Sequence, residues 1–314
     1  MNTILPYLAK RIGSALLVIW GVVTLTFVVA FLLPGDPAQL IAGTQADPET
    51  IRTIRRELRL DAPVGAQYAR FLGRALRGDL GRSYLTREPV AEAIATRLPA
   101  TIVLSLTAWV LWLLGGTVIG VFVAARRSPL REAELLAGSV LGASIPTFWL
   151  GMMLLYLFAQ RWPLFPAGGY GTPAQLVLPA LTLAASGVAY YGRLVHSSLA
   201  ETLDQDYVRT ARAKGLSERA VIYRHALRNA LLPLVTIAGA DLAALLSGVV
   251  FTESVFSWQG MGQLAVTAVE QRDLPMILGV VLVAATGVVL ANLLVDLLYP
   301  LLDPRIRLAR PATA

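Results

Sequence analysis

The sequence has no cysteine, only two histidines, and charged residues make up just 15% of it. Without thiols there is no disulfide, iron–sulfur cluster or thiolate zinc site to build. His196 and His225 fall in separate segments and form no metal-binding constellation. Lysine is scarce too: Lys10 and Lys214 are the only two in 314 residues. Neither completes the Gly-x-x-x-x-Gly-Lys-Ser/Thr pattern that cradles nucleotide phosphates, so the chain carries no P-loop. No catalytic constellation stands out among the serines. His196-Ser197-Ser198 is mere adjacency, because neighbours on a helix do not face each other.

Apolar residues are abundant, at 56% of the chain with a mean hydropathy of +0.62, too apolar for an ordinary soluble domain. A bilayer core of roughly 30 Å needs about 20 apolar residues per helix. Six runs meet that length: 12–33, 100–124, 135–159, 176–195, 231–252 and 275–299. They are continuous rather than alternating in polarity, which predicts an all-α membrane protein with six transmembrane helices. The first run follows Lys10 and Arg11, yet it exceeds the core of a removable signal peptide and reads as a retained helix.

Orientation follows from positive charge in the short loops. With the N-terminus inside, the inner segments hold Lys10, Arg11, Arg126, Arg127, Arg131, Arg209, Arg212, Lys214, Arg219, Arg224, Arg228, Arg305, Arg307 and Arg310; the short outer loops hold only Arg161 and Arg272. Both termini are therefore expected in the cytoplasm. Much of the net charge of +7 and the pI ≈ 10.0 is explained by this bias, which leaves little call for nucleic acid. The chain divides into 1–33, with the first membrane helix; an extracytoplasmic helical insertion, 34–99; and a core, 100–314, with a large cytoplasmic loop at 199–230.

In the insertion, Asp47-Pro48 is a helix start, and Ile51, Ile54 and Leu58 recur on one face. A second amphipathic pattern runs from Val64 to Gly78. The pair reads equally as a cap on the outer face or as helices lying on the membrane surface. Further on, the Pro- and Gly-rich loop at 161–173 and the segment Phe256 to Gly262 forbid regular helix, and such broken backbone lines a cavity or packs inside protein. Asp241 is an intramembrane carboxylate, and it reads either as part of a translocation path or as a packed, hydrogen-bonded group. Asp296 and Arg193 lie near cytoplasmic helix ends, where snorkelling or local pairing explains them.

The cytoplasmic loop is the most informative segment. Asp204 or Asp206 is expected to cap a short helix, Gly215 to stop it in the left-handed conformation, and Ser217 to cap a second helix. Tyr207, Thr210, Ala211 and Lys214 would share one face, a small-residue ridge edged with charge and able to enter a partner's groove.

The Arg209-Thr210-Ala211 triplet, Gly215 and Leu232-Pro233 resemble the cytoplasmic coupling-loop motif of ATP-binding-cassette importer permeases. The first two motif positions lack the usual Glu-Ala-Ala opening, and the stretch from Gly215 to Pro233 is long. Both departures resemble the dipeptide, oligopeptide and nickel branch. Leu33-Pro-Gly-Asp-Pro37, Gly78-Asp-Leu-Gly81, Arg97-Leu-Pro-Ala-Thr101, Phe256 to Gly262, Arg272-Asp-Leu-Pro275 and Leu302-Asp-Pro-Arg305 look like that branch's segments, in order.

The resemblance implies a type I importer permease fold in the inner membrane, multi-pass and non-catalytic, forming half of a path for short peptides. It implies three kinds of partner besides lipid: a second permease, two cytoplasmic ATP-binding subunits or domains, and an extracytoplasmic solute-binding protein. ATP and Mg would be held by the ATPase subunits, with no cofactor in this chain. Tyr207, Arg209, Thr210, Ala211, Arg212, Ala213, Lys214, Gly215 and Leu216 would couple to the ATPase. Nickel, a nickel chelate or glutathione are alternative solutes. A stand-alone secondary transporter or channel is the alternative of a different class, with Asp241 its one support.

Overall fold

A computed structural model of the chain describes residues 4–32, 36–43, 46–126 and 128–302. Arg127, Arg305, Arg307, Arg310, the Leu33-Pro34-Gly35 start of the first family-like segment and Asp303-Pro304-Arg305 lie outside the described residues, as do the side chains of Lys10 and Asp296. Among the described residues every regular element is a helix. Among the described residues the only extended pairing is an isolated bridge, Arg82 to Pro89.

Four helices are long and apolar enough to cross a membrane: Arg11–Val29 within α1 (Ile4–Leu32), α5 (Val90–Arg126), α8 (Pro173–Leu203), and Leu274–Leu293 within α15 (Leu274–Leu302). Counting each of two bent pairs as one span raises the number to six. Pro129–Ser144 (α6) meets Thr147–Arg161, the latter comprising α7 (Thr147–Leu155) and a π-helical end, at 94°. Glu218–Val235 meets Ile237–Leu245 at 41°.

The expected continuous helix at 135–159 is therefore broken. Ile145 has φ −79° and ψ 119°, because the ring of Pro146 disfavours helical backbone in the residue before it. The run at 231–252 is likewise interrupted, α12 (Leu232–Gly248) ending at Val249 before α13 (Val250–Val255). Proline does not act this way everywhere: α5 begins ten residues before the expected start at 100 and runs through Pro99, and α8 runs through Pro179.

The chain forms two compact units, 1–101 with 259–289 and 102–258 with 290–314. In the first unit, α2 (Pro37–Ala42) precedes α3 (Pro48–Glu57), which begins as the sequence predicts. Asp47 takes the amides of Glu49 and Thr50 at 2.8 and 2.7 Å. Next comes α4 (Val64–Ala75), and Gly78 turns the chain with φ +77°.

A hairpin-like loop then returns to α5, with Ser83 N–H bonded to Glu88 O and Val90 N–H to Gly81 O, both at 3.0 Å. It is anchored by Asp273, just before α15. This carboxylate, 3% exposed, accepts from the Ser83 hydroxyl and from the Tyr84 amide at 3.0 Å. Val90, Ile94, Met261, Ala268, Met276 and Val280 close the unit's core around this anchor, with Met261 and Ala268 on α14 (Met261–Glu270).

The second unit is built on a close crossing of α5 and α8. A methyl group on Gly116 would lie 2.4 Å from Tyr191 Cβ, and one on Gly120 2.6 Å from the Gly192 carbonyl oxygen. Only hydrogen at these positions lets the backbones approach, as in membrane helix pairs packed by small residues. Trp109 and Trp112 donate their indole N–H to the carbonyls of Ala238 and Leu183, at 2.7 and 2.8 Å, so their apolar bodies pack without an unpaired donor. Of the broken outer segments, the one that starts at Phe256 packs inside protein, with Phe256 and Trp258 buried, whereas the loop at 161–173 is largely exposed and touches it where Gly169 N–H bonds Phe256 O at 3.0 Å and Tyr170 meets Trp258 edge-on at 4.9 Å.

Candidate functional site

The cytoplasmic loop folds as two short helical segments around Gly215. The first, α9 (Asp206–Ala213), is capped by neither expected aspartate. Gln205 occupies the cap position with extended backbone and no side-chain hydrogen bond, because Asp206 already lies in the first turn. Its carboxylate there pairs loosely with Arg209 at 3.6 Å. Gly215 has φ +76°, and its N–H closes the turn onto Arg212 O at 2.9 Å. The Ser217 hydroxyl then accepts from the Ala220 amide at 3.4 Å, opening α10 (Glu218–Ala220). A π-helical turn, Val221–Ala226, and α11 (Leu227–Ala230) lead on to α12.

One face of this pair belongs to the chain's own core. Val208, Ala211, Val221, Ile222, Ala226 and Ala230 are buried with Leu199 and Leu203 at the end of α8. Ala211 is therefore not on the outward ridge the sequence predicted. Its spacing of three from Val208 puts both on the inward side, so α9 turns its apolar stripe home. Tyr207, Arg209, Thr210, Ala213, Lys214, Gly215 and Leu216 are exposed.

Arg212 does something the sequence did not reveal. Its guanidinium spans the turn, donating to both oxygens of Glu218 at 3.2 and 2.8 Å and to Leu203 O at 3.2 Å. The Glu218 hydrogen bonds hold Arg212 more firmly in its charged form. One side chain thereby joins the end of α8, α9 and α10. A second tie runs from Asn229 Nδ2 to the Tyr207 hydroxyl at 2.8 Å, and Ser198 donates to Ala230 O at 2.9 Å. The helix pair is thus a braced platform carrying an outward basic surface.

Within the membrane part, Asp241 is partly exposed and accepts a 2.6 Å hydrogen bond from the Tyr191 hydroxyl, joining α12 to α8. Tyr191 is fully buried and sits 6.1 Å from the Trp112 ring. This partner is invisible in the sequence, since nothing in the spacing from 191 to 241 marks a pair. Glu253, also fully buried, and Asp273 were missed for the same reason.

The described residues thus form several membrane-length helices and a braced helix pair whose outward face is basic. Comparison with known proteins supplies the family. Residues 116–308 match the family "Binding-protein-dependent transport system inner membrane component", and residues 4–106 match "Binding-prot-dependent transport system membrane comp, N-term". A putative peptide transport system permease protein of Brucella abortus strain 2308 is 42% identical over 306 residues, covering 95% of this chain and 98% of its own. The glutathione transport system permease protein GsiC of Salmonella paratyphi A is 40% identical over 303 residues, covering 96% and 99%. GsiC of Escherichia coli O6:H1 is 39% identical over the same length. The chain belongs to the binding-protein-dependent inner-membrane transport components, the permeases of ATP-binding-cassette importers.

Proposed function

We propose that this chain forms half of the translocation path of an ATP-driven importer of short peptides. The observation that carries the proposal is the helix pair around Gly215: buried on one side, braced by Arg212, and basic on the other. A lever must be rigid toward its own chain and open toward its partner. Tyr207, Arg209, Thr210, Ala213, Lys214, Gly215 and Leu216 are the residues open to an ATPase subunit, while Ala211 and Arg212 hold the surface in place. Closure of two ATP-binding subunits around ATP and Mg would favour one helix arrangement over another, which is the differential coupling that transport requires.

The other partners follow the same reading: a second, similar permease and an extracytoplasmic solute-binding protein, with residues 34–99 outside the membrane. ATP hydrolysis belongs to the ATPase subunits. Peptides are favoured as solute because the relatives are named for peptide and for glutathione transport, and glutathione is itself a short peptide. Asp241 is the path residue of the proposal, because a partly exposed carboxylate within a membrane segment can meet a substrate's amine.

Reconstitution tests this directly. Vesicles containing this chain, its companion permease, the ATPase subunits and the binding protein should take up labelled di- and tripeptides or glutathione only when ATP is supplied. Uptake that persists without the ATPase subunits would overturn the proposal.

A further inference from the structure

Between α5, α6 and α8 lies a groove of about 470 Å³. Its walls are apolar, from Val118 and Phe122 of α5, Leu135 of α6 and Val188 of α8. The hydroxyl of Ser139 at its floor is already engaged by the carbonyls of Leu135 and Ala189, at 2.7 and 3.1 Å. Nothing along this floor asks for water or a polar ligand.

The rim is different. The guanidinium of Arg126 lies 4.3 Å from the centre of the Phe122 ring and that of Arg131 lies 4.9 Å from it. Cation–π attraction draws two like charges to one ring, and among the described residues neither has a carboxylate in ion-pair reach. Two guanidiniums drawn to one ring concentrate positive charge beside the groove, and their planar forks suit a phosphate. Glu134 lines the same groove, one turn after Arg131 on the same helix face, and forms no ion pair with it. The rim therefore offers sites for a phosphate and for an ammonium side by side, above an apolar slot. It sits where the apolar run of α5 ends, at the level of the cytoplasmic lipid headgroups under the positive-inside orientation.

We infer that this groove binds one phospholipid with a primary-amine headgroup, of the phosphatidylethanolamine kind. Its phosphate rests on Arg126 and Arg131, its ammonium on Glu134, and an acyl chain lies along the apolar walls. A helix of a second subunit is the other conceivable occupant. Such a helix brings no phosphate to the rim. An acidic lipid without an amine would leave Glu134 facing a negative headgroup.

The full transporter, purified from membranes and exchanged into vesicles of phosphatidylethanolamine and phosphatidylglycerol in equal amounts, provides the test. Native mass spectrometry reads the lipid retained on this chain. The wild type should keep phosphatidylethanolamine over phosphatidylglycerol by about tenfold, the scale of one charge-assisted hydrogen bond. Glu134→Gln, an exposed position, should keep binding lipid but lose most of that preference. Arg131→Gln should lose retention of both lipids, and Gly138→Leu, which fills the floor, should do the same.

Circular dichroism and gel filtration of each variant confirm folding and assembly. If Gly138→Leu does not assemble, the Glu134→Gln comparison alone decides. A wild type that retains the two lipids equally, or neither, would overturn the inference. So would a Gly138→Leu variant that loses its companion permease while keeping its lipid, since that would make the groove a helix interface.

Discussion

The hairpin at 81–90 and the cytoplasmic helix pair around Gly215 are both short polar excursions from a helical membrane protein, yet they spend their polar groups in opposite ways. The hairpin turns them inward. Asp273 is buried and satisfied by Ser83 and Tyr84, and the Ser83 oxygen in turn accepts from the amides of Leu85 and Thr86 at 3.2 and 3.0 Å. The helix pair buries apolar residues instead, ties itself with one guanidinium and leaves its remaining charges outward. Inward polar groups fix a structure, whereas outward ones on a fixed frame are available to a partner. The two regions should therefore respond differently to substitution.

The largest effect is expected at Asp273. Replacing it with Ala strands the Tyr84 amide and the Ser83 hydroxyl in a buried site, a loss on the order of 3 kcal/mol. Asp273→Asn keeps one acceptor and should lose about half of that. Thermal unfolding of the purified protein should show both drops. A midpoint unchanged in Asp273→Ala would erase the distinction between the regions.

Gly215→Val comes next. No atom lies within 4 Å of a methyl group placed there, so its cost is backbone strain at φ +76°, about 1–3 kcal/mol for a side chain in that region. The expected result is a folded protein whose ATP-driven uptake is reduced severalfold, with Gly215→Asn close to wild type because Asn tolerates this conformation. Normal association with the ATPase and normal substrate-stimulated turnover in Gly215→Val would remove Gly215 from the coupling element.

Arg212→Ala should lower stability by less, about 1 kcal/mol, because the Glu218 pair is partly exposed. Its uptake should fall more than its stability does, since the brace is what the lever requires. Arg212→Lys should not restore uptake, a single ammonium being unable to hold both Glu218 oxygens. Equal losses in uptake and stability would mean that the brace serves only the fold.

The smallest effect concerns Asp79, on the surface beside the hairpin. The Arg74 guanidinium first, and then the Gly81 amide, hold its carboxyl below the ordinary aspartate value of 3.8. A lowered folded value means that the stabilisation is fully present above the ordinary value and disappears as pH falls through the lowered one. Asp79→Asn should therefore melt slightly below the wild type at neutral pH and converge with it under strong acid. A gap that persisted in strong acid would assign the loss to something other than this charge.

Much of this architecture was legible in the residues because the bilayer imposes length and polarity on every span. Four of the six apolar runs appear as unbroken membrane-length helices and the other two as bent pairs, while the Asp47-Pro48 start, the left-handed Gly215 and the Ser217 cap, all local signals, appear as expected. The break at Ile145-Pro146 was equally local, but the apolar run masked it. What sequence could not show were the long-range pairs: Tyr191 with Asp241, Ser83 with Asp273, and the approach of Gly116 and Gly120 to α8. The inward turn of Ala211 escaped for a related reason. On an eight-residue helix, small residues mark a face without saying whether chain or partner covers it.

Because the chain has no cysteine, single cysteines can map the coupling surface without background. In the assembled transporter, Tyr207→Cys, Arg209→Cys and Lys214→Cys should each cross-link to an ATPase subunit, more strongly when ATP is bound, while Ala211→Cys should not. Cross-linking at Ala211 with none at Arg209 or Lys214 would contradict the account.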